Sequence, residues 1–221
     1  MDTMEVMRAR HSVRQYLAQP LEDAVCRALQ AEISACNVSG KLHLQLVTDE
    51  PKAFDCLMAH YGRFSGVTNY IALVGTKSKQ LDELCGYYGE RLVLKAQQLG
   101  LNTCWVAASY KKVPGALKIG AGEKLVAVIA LGYGKTQGVP HSGKTAQDVS
   151  NVTDDAPDWF RAGVEAALLA PTALNQQKFT LTRSGTPVSA KAGRGFYTKI
   201  DLGIVKYHFE LAAGRENFNW G

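Results

Sequence analysis

Arg8-Ala9-Arg10-His11-Ser12-Val13-Arg14-Gln15-Tyr16 is the stretch on which the reading of this chain turns. Its first seven residues, Arg8 to Arg14, carry four potential cations and a hydroxyl. Guanidinium groups offer forked donors that bind the oxygens of an anion in pairs. Alternate residues of an extended chain share a face, so the spacing predicts Arg10, Ser12 and Arg14 along one elongated anionic ligand. His11 adds an imidazole or a backbone N–H. On residue type alone, the same stretch also reads as a solvated basic segment.

Composition narrows the classes around it. The chain has 221 residues, 46% hydrophobic and 20% charged, as an ordinary globular protein has. No apolar run approaches the roughly 18 residues of a membrane span; Leu125 to Gly134 comes nearest. Glu5, Arg8 and Arg10 stand where an export signal needs apolar residues, so a cytoplasmic location is expected, with no membrane partner. The five cysteines are odd in number and form no C-x-x-C, which argues for buried reduced thiols and against a disulfide framework or a metal site. A net charge of +5 suits an anionic ligand. Beyond the opening stretch the basic residues are scattered, with no nucleic-acid-binding signature, so no nucleic-acid partner is expected.

Periodicity supplies the elements. Helices are expected over Leu21 to Ile33, Pro51 to His60, Ser78 to Leu99, Asp158 to Leu169 and Asp201 to Ala213. Strands are expected over Lys41 to Thr48, Tyr70 to Gly75, Thr103 to Ala107, Lys124 to Gly132 and Phe179 to Arg183. Lys124 to Gly132 is dense in Val, Ile and Leu and is read as central. Gly134 to Asp155 is rich in Gly, Ser, Thr and Asp and reads as a crossover. Helices and strands are intermingled, which predicts an α+β fold with helices around a mainly antiparallel sheet.

Two further segments bear on chemistry. Tyr88 to Tyr110 runs from the long helix through Leu99-Gly100-Leu101-Asn102-Thr103-Cys104-Trp105-Val106 to Ala107-Ala108. Leu169-Ala170-Pro171-Thr172-Ala173-Leu174-Asn175-Gln176-Gln177-Lys178-Phe179 ends a helix at proline and continues in short polar residues, which can face a ligand without filling its pocket.

With the opening stretch, these resemble the nitroreductase-like flavoproteins that bind FMN. The opening resembles that family's R-[RH]-S-x-R-x-[YF], the second segment its L-G-L-x-T-x-W-[VI] strand, and the third its A-P-[ST]-x-x-N-x-Q-P-[WF] loop. Lys178 departs from the usual proline. The resemblance implies a nitroreductase-like fold with Arg10, His11, Ser12 and Arg14 on FMN. It places the backbone of Ala107 and Ala108 at flavin N5, and Pro171, Thr172, Ala173 and Asn175 as one wall. Lys144, with Ser142 beside it, would return to the phosphate. Either Arg63 or Asn69 would reach the ring edge. The implied activity is hydride transfer from NADH or NADPH to a nitroaromatic or quinone-like acceptor. No side chain acts as acid or base, because the flavin carries the chemistry.

The order of the motifs is unusual. The Pro171 loop falls near the C-terminus, where ordinary members carry it soon after the arginines. This resembles the subgroup in which one chain imitates the family homodimer. It implies a monomeric pseudo-dimer, with a first half over residues 1–135, a linker over 136–156 and a second half over 157–221. Two other readings stand beside it. One is a flavin-binding protein for storage or sensing. The other is a P-loop nucleotide hydrolase, because Gly138-Val139-Pro140-His141-Ser142-Gly143-Lys144-Thr145 fits G-x-x-x-x-G-K-[ST] to the letter. That pattern needs a following helix, and Ala146 to Pro157 is a poor one. His208, on an apolar helix face, is read as a packed core histidine, and Cys104 as a core thiol.

Overall fold

The computed structural model describes residues 2–221. In chain order, α1 (Thr3–Ala9) and α2 (Asp23–Gly40) precede β1 (Gln45–Val47), α3 (Leu57–Tyr61), β2 (Asn69–Thr76) and α4 (Leu81–Gln98). They are followed by β3 (Asn102–Val106), β4 (Glu123–Gly132), α5 (Ala146–Val149) and α6 (Asp158–Leu169). The chain ends with β5 (Phe179–Arg183), β6 (Pro187–Ala192), α7 (Thr198–Ala213) and β7 (Asn219–Trp220). Two compact units result. The larger-sheet unit holds Ala9–Leu81 and Arg91–Val139; the smaller-sheet unit holds the residues up to Arg8, Asp82–Glu90 and Pro140–Gly221.

The larger-sheet unit is built on a wholly antiparallel sheet of order β1-β2-β4-β3. β4 is central, as its composition predicts, and every residue of β2 except Thr76 is buried. Val13, Tyr16, Phe54, Phe64 and Tyr70 pack over one face of this sheet. Phe54 meets Phe64 at 5.2 Å and Tyr70 at 6.2 Å between ring centres, within the range of tilted aromatic pairs. α2 buries Leu29, Ile33, Cys36 and Gly40 and ends at Lys41, whose left-handed backbone (φ 49°) returns its N–H to Asn37 O.

In the smaller-sheet unit, β5 and β6 run antiparallel and β6 and β7 parallel. α7 packs against residues of α4 at almost backbone contact. A β-carbon on Gly203 would lie 2.0 Å from Glu83 O, and one on Gly86 would lie 2.0 Å from Ile200 O. His208 is a core histidine: it is fully buried, Nδ1 lies 3.0 Å from Ala166 O and Nε2 lies 2.9 Å from Glu90 Oε1. Among the described residues, no helix is long and apolar enough to cross a membrane.

The α+β expectation holds, and several boundaries move. α2 extends seven residues past Ile33, because Cys36 and Gly40 continue its buried stripe. The strand expected over Lys41 to Thr48 is reduced to β1, since Leu42 lies beyond the ladder with β2. The single helix expected from Pro51 to His60 is instead a 3-10 turn, Lys52–Phe54, followed by α3. α1, α5, β6 and β7 lie outside every element that the sequence predicts.

Candidate functional site

The arginine segment lies wholly in the larger-sheet unit from Ala9 onward. Its backbone is held on several sides. Val13 N–H donates to Thr103 O at 3.0 Å, and Tyr16 N–H to Ser65 O at 2.9 Å. Ser65 N–H donates to Arg14 O at 3.0 Å, and Lys135 N–H to Gln15 O at 2.9 Å. The Tyr16 hydroxyl turns back to Val13 O at 2.7 Å. Burial pushes that phenol well above its ordinary value, so it remains a donor. Two glycines in left-handed backbone let chain approach this segment. A β-carbon on Gly66 would sit 2.3 Å from Tyr16 O, and one on Gly138 would sit 2.6 Å from the β-carbon of His11.

The side chains follow a different period from the one expected. Arg10, Val13 and Tyr16 are buried, whereas Ser12 and Arg14 are exposed and His11 is half-buried. An unpaired extended strand would have placed Arg10, Ser12 and Arg14 alike. Here the backbone makes single bridges to three different neighbours, so it twists between them and every third residue turns inward. All three nevertheless act on the buried thiol of Cys104. Burial pushes that thiol up. The Arg14 charge, a hydrogen bond with Ser12 and the Arg10 charge all pull it back. Arg8 does not join them: it belongs to α1 and pairs with Glu165 at 2.7 Å.

Ala107 and Ala108 follow β3 immediately, the first half-buried and the second exposed. Arg63 is exposed in left-handed backbone (φ 61°). Its neighbour Gly62 lies against Ser109, with a β-carbon there 3.1 Å from Ser109 Oγ, so the Arg63 turn borders the Ala107–Ala108 bend. Asn69 is otherwise engaged. Its buried amide accepts from Asp49 N–H at 3.2 Å and donates to Thr68 Oγ1 at 3.1 Å, closing the turn before β2.

In the smaller-sheet unit, Ser142, Lys144, Thr172, Ala173 and Asn175 are gathered by two loops that clasp each other. Asn175 Nδ2 donates to Ser142 O at 2.6 Å. Lys144 donates through its backbone N–H to Gln177 Oε1 at 2.7 Å and through Nζ to Gln177 O at 2.9 Å. Gln177, 1% exposed, also donates to Leu168 O at 3.1 Å and from its backbone to Thr172 Oγ1 at 3.0 Å. Lys144 thus spends one ammonium donor on tying the loops together. Pro171 follows Ala170, the residue that caps α6, and the residue before a proline is disfavoured in helix, so the helix stops there. The turn is strained: Leu174, Asn175 and Gln177 all have positive φ, a conformation that costs non-glycine residues energy and is common at functional sites.

The P-loop reading fails here. β4 is antiparallel to both neighbours, and the helix after Lys144 is the single turn α5. Thr145 donates through both N–H and Oγ1 to Asp148 at 2.8 Å, which caps that turn and leaves no long helix to meet a phosphate.

Sequence reasoning missed Gln177 and Asp201. Asp201 Oδ1 accepts from Ala173 N–H at 2.9 Å, and Oδ2 accepts from Gln176 Nε2 at 2.7 Å. Burial pushes its carboxyl up, and these two donors pull it back. The available signal was an acid inside the otherwise apolar run Ile200-Asp201-Leu202-Gly203-Ile204.

Residues 2–213 match the family described as "Putative TM nitroreductase". A nitroreductase-like structure from Thermotoga maritima is similar over 98% of this chain and 85% of its own, with a TM-score of 0.70 and 22% identity. One from Desulfovibrio desulfuricans, in complex with FMN, is similar over 70% of this chain and 98% of its own, with a TM-score of 0.53 and 20% identity. A nitroreductase-like protein from Streptococcus mutans covers 68% of this chain and 98% of its own, with a TM-score of 0.57 and 12% identity. No curated protein matches the chain. The fold is therefore that of the nitroreductases, and the match along nearly the whole sequence places this chain in the family described as "Putative TM nitroreductase".

Proposed function

We propose that this protein binds FMN non-covalently and acts as an NAD(P)H oxidoreductase on electron-poor acceptors such as nitroaromatics and quinones. One observation carries the reading within this family: the Ser12–Thr103 bridge holds the segment bearing Arg10, Ser12 and Arg14 against β3, the strand that leads into Ala107 and Ala108. Two guanidinium groups and a hydroxyl are a donor set suited to a phosphate and to the electron-rich edge of a reduced flavin.

When bound, FMN supplies hydride transfer between a reduced nicotinamide and an acceptor. The chain supplies position and charge. Arg10 is fixed by burial and holds the phosphate at little further entropic cost. Arg14, which is exposed, stabilises negative charge on the ring. Ala107 and Ala108 offer backbone N–H groups without side chains that would obstruct approach. Pro171, Thr172, Ala173 and Asn175 form a wall, and Lys144 keeps that wall in place through Gln177. The proposed compartment is the cytoplasm, where NAD(P)H is available and cysteines stay reduced.

Anaerobic mixing with NADH or NADPH tests the activity. Rapid bleaching of the bound flavin, followed by reoxidation on adding a quinone or nitroaromatic, is expected, with ping-pong steady-state kinetics. A flavin that binds but stays oxidised under NADH and NADPH would instead make this a storage or sensing protein.

A further inference from the structure

One buried carboxylate has no part in the reading above. Asp201 is 3% exposed and lies in the first turn of α7. Its oxygens are used separately, one by Ala173 N–H and the other by Gln176 Nε2. The same Gln176 nitrogen donates to Phe196 O at 2.9 Å. Turning the amide over would set its oxygen against both acceptors, so its orientation is fixed. Between these anchors lie Leu174 and Asn175, both with φ 52°. Leu174 is 99% exposed, so no packing of its side chain holds the turn in this form. Hydrogen bonds must hold it, and those to an ionised acceptor are stronger than neutral ones.

We propose that Asp201 is a positioning residue for the flavin ring, its carboxylate clasping Ala173 and Gln176 so that the Leu174–Asn175 turn keeps one placement against the ring. This rests on reading residues 171–175 as a flavin wall. Asp201 touches no reacting atom. It acts through the turn, and both of its oxygens must accept. Asparagine has the same shape but presents N–H2 to one of the two donors and loses that bond.

Asp201→Asn and Gln176→Met, in the full chain with added FMN, test this. Gln176 is only half-buried, so its variant opens the clasp with little change to the core. Thermal melting establishes that each variant is folded. Amide exchange at residues 173–176 should accelerate in both. FMN affinity should fall about tenfold, on the scale of one hydrogen bond, and the flavin absorption bands should shift toward those of free FMN. Folded variants that exchange faster yet keep wild-type affinity and bands would make Asp201 structural only. Unchanged exchange would show that Asp201 does not hold the turn. Either result overturns this inference alone, whereas wild-type protein that ignores FMN overturns the flavin reading and this inference with it.

Discussion

Arg10 and Arg14 are four residues apart, one buried and the other exposed, and the proposed function gives them different work. Arg10→Ala should weaken FMN binding by about 1.5–3 kcal/mol, the scale of one charge-assisted hydrogen bond, as read by flavin fluorescence titration. Arg14→Ala should leave affinity closer to wild type and lower the flavin reduction potential. Wild-type affinity and potential in both variants would reduce the segment to a basic surface. A second residue-scale expectation concerns Glu123. The His43 hydrogen bond, and then that from Gly120 N–H, hold its carboxyl below the usual value. A depressed carboxyl stabilises the fold above the carboxylate range and loses that contribution as pH falls through the depressed value. Glu123→Gln should therefore lower the melting temperature slightly at pH 7, and the gap should close below about pH 4. A gap that widens in acid would contradict the assignment. At this scale the sequence showed which residue types gather but not which face inward. The alternation rule failed at Arg10 because three separate backbone bridges twist the segment.

Elements with a strong internal period were legible; those defined by their neighbours were not. β4 and α6 were read with nearly their observed bounds, since runs of Val, Ile and Leu, or a stripe of Phe160, Val164 and Ala167, need no context. β6 contains Pro187 and buries only Val188 fully, so nothing in it alternates; its partner β5 makes it a strand. α1 was hidden because its seven residues run into the basic segment and only Val6 and Met7 are buried. The start of α7 at Thr198 was equally hidden, behind a left-handed Tyr197. That start puts Asp201 in the first turn and so under the Pro171 loop, which is why the clasp could not be read from the chain. The packing of α7 gives a sharp test. Gly203→Ala would place a methyl group 2.0 Å from Glu83 O and 2.6 Å from Tyr87 N, contacts that only backbone movement relieves. A loss of at least about 3 kcal/mol in chemical denaturation, or failure to fold, is expected. An alanine variant within about 1 kcal/mol of wild type would mean that these helix backbones are not in contact.

For the molecule as a whole, three motifs in one sequence pointed to the family, and the match over residues 2–213 bears that out. The arginine segment and the Pro171 loop each occur once, and the loop falls near the C-terminus where ordinary members carry it soon after the arginines. We therefore propose a monomer that carries one FMN. The most direct measurement is the visible spectrum of the purified protein, followed by release of its cofactor by heat and quantification against protein mass from light scattering. The account predicts a yellow protein whose released cofactor is FMN, at one per chain, from a particle of monomer mass. A colourless protein that takes up no added FMN, or one that releases FAD, would contradict it.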